Sequence, residues 1–186
     1  MTLKPQGCVD PGACHLDPLV ARHIAGLDAD AICLKIGINI FDQASLNERT
    51  FAASVLGFIL AIRDAAPTTP VLLVSPCWAT DRELKQTKPH SLRLSLSAIR
   101  TILADLVAKL VRRGDANLFY RSGLDLLAES DAPDAFMPDG IHPNAAGYER
   151  IAARFAPIAF GHAGCLLPGR WRPDDAAAPA RTRLPE

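Results

Sequence analysis

The sequence has no C-x-x-C pair, no apolar run near the length of a bilayer and no surplus of either charge, and each absence removes a class of function. Its five cysteines, Cys8, Cys14, Cys33, Cys77 and Cys165, are odd in number and widely spaced, which argues against a disulfide framework and a structural zinc site. Cys14 and His15 could suggest a ligand pair, but adjacent residues point in different directions and no second pair completes a tetrahedron. Reduced thiols and no metal are therefore expected. Lys and Arg total 20 against 20 Asp and Glu, with no basic stripe, so a nucleic-acid partner is not expected. The longest apolar runs, such as Ala52 to Ile62, fall far short of the roughly 20 residues that a membrane helix needs. Met1 is followed by Lys4, Pro5 and Gln6 with no apolar leader, so the chain as written reads as cytoplasmic, with secretion left open if a segment precedes it. No Gly-rich or Ser/Thr-rich phosphate loop follows the first apolar strand, which ranks last an α/β fold with an unrelated role.

What is present suits one domain. At 186 residues with 49% hydrophobic side chains, the chain can bury a single core and is too short for two comfortable ones. Residues 1 to 13 are irregular, with one short strand around Gln6 to Val9. Asp17-Pro18 caps a helix ending near Asp28, and Ala31 to Ile36 is a short apolar run of the kind that forms a buried parallel strand. Ser45 or Asn47 can cap a second helix running to about Ala65, and Val71 to Val74 is the next strand. The polar stretch Cys77 to His90 reads as a surface loop bordering a cleft. A long amphipathic helix over Leu92 to Arg113, a strand over Asn117 to Tyr120 and a last helix from Asn144 to about Phe160 complete the order. Such alternation builds a parallel sheet with helices on both faces, an α/β, three-layer, flavodoxin-like fold over residues 1–165. The Pro- and Arg-rich tail from Leu166 to Glu186 reads as disordered.

The segment richest in chemistry is Asp139-Gly140-Ile141-His142-Pro143-Asn144-Ala145-Ala146-Gly147-Tyr148. A carboxylate three residues before an imidazole, in a loop that Gly140 lets fold back, can accept the Nδ1 proton of His142 and leave Nε2 as a general base. Asp, Gly, Pro and Asn also favour turns for purely local reasons, so the pattern alone leaves a plain helix-entry loop open. In company with the α/β alternation, this block resembles the terminal block of the SGNH (GDSL-type) hydrolases. The resemblance implies a serine ester hydrolase acting on a small-molecule ester without metal or organic cofactor, with Asp139 orienting His142 and His142 activating a serine. Gly37-Ile38-Asn39, directly after the first apolar strand, resembles the family's G-x-N block, which gives Asn39 the oxyanion-donor role; Ile40 stands where family members often carry Asp. Gly12, just before the first helix, matches the glycine whose backbone N–H completes that hole.

The family's G-D-S-like block has no counterpart. Only eleven residues precede Gly12, none of them serine, and the earliest serine is Ser45. Neither Ser75, at the end of the Val71 strand, nor Cys14 matches the position of the nucleophile, and no G-x-S-x-G elbow offers another. The expectation is an N-terminally incomplete domain lacking its first, central strand, with the Ala31 to Ile36 strand left with an unpaired edge and near-zero turnover of its own. The alternative is a decayed, non-catalytic remnant that binds a small acyl or sugar ligand.

Overall fold

The structure, a computed structural model, describes residues 14–84, 93–131 and 133–167. The short strand expected around Gln6 to Val9, and Gly12, lie outside the described residues. Helix α1 (Pro18–Ala25) starts where Asp17 accepts a hydrogen bond from the Leu19 N–H with Pro at the first helical position. Strand β1 (Ile32–Lys35) is followed by a short helix α2 (Ile38–Gln43), then α3 (Phe51–Ala65), β2 (Val71–Val74), α4 (Leu96–Arg112), β3 (Leu118–Arg121) and α5 (Ala145–Phe160).

The three strands run parallel in the order β1-β2-β3, with Ile32, Val71 and Leu118 in one register row. Side chains alternate across the sheet, as the period of two requires. Ile32, Ile36, Val71, Leu73 and Leu118 join a core with Phe51, Val55 and Ile59 of α3 and Ile99, Leu103 and Val107 of α4. Leu72 and Val74 face the other way, onto Leu126, Leu127, Met137 and Ala159 of α5. The result is the three-layer α/β/α arrangement. Central β2 is buried along its whole length, whereas β1 buries Ile32 and exposes Cys33 and Lys35. That departs from a strand expected to be covered on both faces. Its reason is that α5 lies over β2 and β3 and, among the described residues, β1 pairs with β2 alone.

Other boundaries differ for local reasons. The helix expected from Ser45 or Asn47 is α3, which begins later, at Phe51, and a short helix not expected from the sequence, α2, precedes it and ends where Ala44 takes a left-handed φ of 49°. Asn47 does not cap α3: its backbone bridges Arg93, and its side chain accepts from the Arg49 N–H in the turn ahead of the helix. Helix α4 begins four residues later than expected, at the Ser95 cap, whose hydroxyl accepts from the Ala98 N–H. The stretch after β2 is not a surface loop throughout, since Cys77, Ala79 and Glu83 are buried. Nor is Leu166 part of a loose tail: it is buried, and its N–H donates to the Ala159 carbonyl. Residues 168–186 lie outside the described residues.

Candidate active site

All three strands point their C-terminal ends the same way, so the segments leaving them share one rim, the usual position of a ligand cleft in a parallel sheet. At the end of β1, Gly37 turns the chain into α2 with φ of 127°, a conformation side chains rarely adopt. A Cβ there would also stand 2.7 Å from Ile99 Cγ2 and 2.9 Å from Pro76 Cγ. Gly37 is thus fixed by both dihedral and space, and Asn39 follows in the first turn of α2. Asn39 is half-buried, and its side-chain amide has no hydrogen-bond partner among the described residues. It remains available as a donor.

The turn before α5 carries the other pair. The Asp139 carboxylate accepts through Oδ1 from the backbone N–H groups of Ile141 (2.9 Å) and His142 (2.7 Å). Its Oδ2 takes the His142 ring, with Nδ1 at 2.6 Å. Gly140 sits at φ of 75° between them and lets the chain fold back. The backbone N–H of His142, then its ring, then the Ile141 N–H hold the Asp139 carboxyl well below the usual carboxylate range. With Nδ1 directed at a carboxylate, Nε2 is left as the acceptor of the neutral ring. The imidazole is open to solvent, at 76% side-chain exposure. Water there screens the pair, which weakens it as a proton relay compared with a covered site.

Behind the turn, packing determines the entry angle of α5. Asn144 caps the helix by accepting from the Gly147 N–H, while its own amide donates to the Ala135 carbonyl and its backbone N–H to the Phe136 carbonyl. A Cβ on Gly147 would stand 2.7 Å from the Phe136 carbonyl oxygen, so α5 can approach this closely only with glycine there. The same segment is clamped by Asp131, which accepts from Arg150 and twice from Arg154; these bonds hold its carboxyl below the ordinary range.

A third segment is the stretch after β2, expected as a loop bordering the cleft, whose anchoring was not foreseen. Arg100 of α4, buried, donates to the carbonyls of Pro76 and Cys77 and by two bonds to Glu83, which is also buried and accepts from the Ala79 N–H. This pins the turn 79–83 and presents Arg82, whose Nε donates to Asp42 of α2 at 3.2 Å. The Arg82 Nη1 lies 3.5 Å from the point where a Cβ on Gly140 would sit. One side chain therefore touches both the helix that carries Asn39 and the turn that carries His142. No spacing rule joins Arg82 to Asp42 or Gly140 in the sequence; only the fold brings them together.

The sequence profile of the GDSL-like lipase/acylhydrolase family matches residues 11–150. The chain belongs to that family. Among solved structures, it is similar to a salicylyl-acyltransferase, SsfX3, from a tetracycline biosynthetic pathway, with 28% identity and a TM-score of 0.66 over 76% of this chain. A Bacteroides ovatus protein assigned as a GDSL-like lipase (21% identity, TM-score 0.63, 80% of this chain) shares the fold. So does a carbohydrate esterase family 3 protein from Talaromyces cellulolyticus (20% identity, TM-score 0.54, 75% of this chain, 64% of its own). The chain spans 40% of the length of each of the first two. No curated protein matches it in sequence.

In this GDSL-like chain Ser75 and Cys14 are hydrogen-bonded within the protein. Ser75 is fully buried, with its hydroxyl paired to Tyr120 and accepting from the Gly123 N–H. The Cys14 thiol donates to the Lys35 carbonyl, and burial pushes its pKa up, away from thiolate. Ser45, set aside on position alone, stands 2.9 Å from Nδ1 of His15. Gly12 falls within the family match and outside the described residues. Among the described residues, no helix is long and apolar enough to cross a membrane and no three His, Cys, Asp or Glu side chains cluster to hold a metal ion.

Proposed function

We propose that this chain carries the proton-relay and oxyanion-binding parts of a serine acyl-transfer site for a small-molecule ester. The observation that supports it best is the 2.6 Å contact from Asp139 to the Nδ1 of His142 inside a GDSL-like domain. In that reaction the nucleophile's hydroxyl oxygen attacks the ester carbonyl and its proton passes to Nε2 of His142. Asp139 holds the ring and steadies the imidazolium. The Asn39 amide, with the backbone N–H of Gly12, donates to the oxygen that gains negative charge, and His142 returns the proton to the departing alcohol. Water or a second alcohol then takes the acyl group, so one constellation serves a hydrolase or an acyltransferase. Neither a metal nor an organic cofactor has a step in this scheme.

The first serine in the sequence is Ser45, so the expected turnover of the 186-residue chain itself is close to the buffer rate. Hydrolysis of p-nitrophenyl acetate by the purified chain tests this. Robust hydrolysis abolished by His142→Ala would mean that a serine within the chain reacts, with Ser45 beside His15 the first to replace. Finding a G-D-S-like codon run upstream of Met1 would support the acyl-transfer reading, and a chain extended to include such a run should lose at least about 1000-fold in kcat on His142→Ala. A second reading, a ligand-binding remnant that no longer cleaves, is favoured by the solvent-open imidazole. An extended chain that binds esters and turns none over would establish it.

A further inference from the structure

We propose that Arg82 recognises a carboxylate on the ester substrate, so that this site selects acyl or alcohol groups bearing an anionic substituent. The inference rests on the acyl-transfer reading of the Asn39 and His142 cleft and adds the substrate's charge to it.

Three observations carry it. First, Arg82 is held in place from behind. Its backbone N–H donates to the Ala79 carbonyl, the neighbouring Glu83 is locked by Arg100, and Nε donates to Asp42. Its guanidinium carbon lies 6.0 Å from the centre of the Phe41 ring, and the Arg93 guanidinium lies 5.2 Å from the same ring. Second, only Nε is used. Neither Nη group hydrogen-bonds a described residue, and the side chain is 22% exposed, so the Nη donors are left for a ligand. Third, that position adjoins the turn of His142: Nη1 stands 3.5 Å from the Cβ position of Gly140, two residues from His142. A side chain at residue 140 would crowd the fork.

The donor geometry completes the argument. Arg82 gives its Nε to Asp42, and the turn beside its Nη1 carries Asp139, bound to the His142 ring. Asp81, its chain neighbour, is exposed. Arg93 donates to the Asp42 backbone carbonyl and adds a second cation on Phe41. Asp42 takes the Nε edge of Arg82 and leaves the Nη edge for a second carboxylate. A planar fork of paired N–H donors matches a carboxylate better than any neutral group.

The test uses monomethyl succinate, which is anionic, and dimethyl succinate, its neutral counterpart. Each is titrated into the intact chain at low ionic strength while the His142 imidazole signals are followed by NMR. The anionic ester is expected to bind about fivefold more tightly, the effect of one partly exposed charge pair. Arg82→Gln should reduce that preference to less than twofold, and Arg82→Lys should keep part of it. Equal affinities in the wild type, or a preference that survives Arg82→Gln, would overturn the assignment while leaving the cleft reading intact. If neither ester moves the His142 signals, the cleft reading itself fails and the charge preference with it.

Discussion

Replacing Arg100 by Met should destabilise the chain by about 3–5 kcal/mol, the usual consequence of removing one partner from a buried ion pair. The structure gives the reason. Arg100 makes four hydrogen bonds of 2.6–3.0 Å, two to Glu83 and one each to the carbonyls of Pro76 and Cys77. Met can fill the aliphatic stem but leaves the Glu83 carboxylate, in a residue only 4% exposed, with the Ala79 N–H as its remaining partner. For a chain of this length such a loss lowers the thermal midpoint by roughly 10 °C. Urea titration followed by far-UV circular dichroism measures it. The double variant Glu83→Leu with Arg100→Met removes the stranded charge and should recover at least about 1 kcal/mol of the loss, although the Ala79 N–H is then unpaired. If the double variant is as unstable as the single one, stranded charge is not the cause; a single-variant loss below about 1 kcal/mol would mean the pair is not buried in solution.

Further outcomes concern the turn and its helix. Gly147→Ala should cost about 1–3 kcal/mol by urea titration, because its Cβ would meet the Phe136 carbonyl oxygen at 2.7 Å, and should shift the His142 NMR signals; an unchanged spectrum would contradict the close approach. Asn144→Ala removes the cap of α5 and the bond to Ala135, and should cost about 1 kcal/mol by the same assay. Asp139, titrated by carbon-detected NMR, should show a midpoint well below the usual value of about 3.9. A depressed folded-state pKa means that its contribution to stability is present above the unfolded carboxylate value and is lost as pH falls through the lowered one. His142→Ala, which removes the ring but keeps the backbone N–H groups of residues 141 and 142, should raise that midpoint only part of the way; an ordinary midpoint in the wild type would mean that the turn is not formed.

Much of this protein is readable from local sequence because the causes are local. Asp17-Pro18 starts α1, Val71 to Val74 is β2 without adjustment, and Asn144 caps α5, since a cap or a short apolar strand needs only its near neighbours. The Asp139 to His142 contact is of the same kind: three residues and a glycine with positive φ make it. What tertiary structure alone decided involves residues far apart in the chain. Between α2 and α3 the Asn47 backbone bridges Arg93, 46 positions away, a pairing that helix propensity does not encode. The burial of Glu83 comes from Arg100, 17 positions away, so a polar stretch that reads as surface becomes the anchored wall of the cleft. Arg82 gains its place only because the ends of parallel strands converge, setting Asp42 and Gly140 on either side of one guanidinium. Short-range hydrogen bonds are written into sequence order; the desolvation and pairing of distant charges exist only once the core has closed.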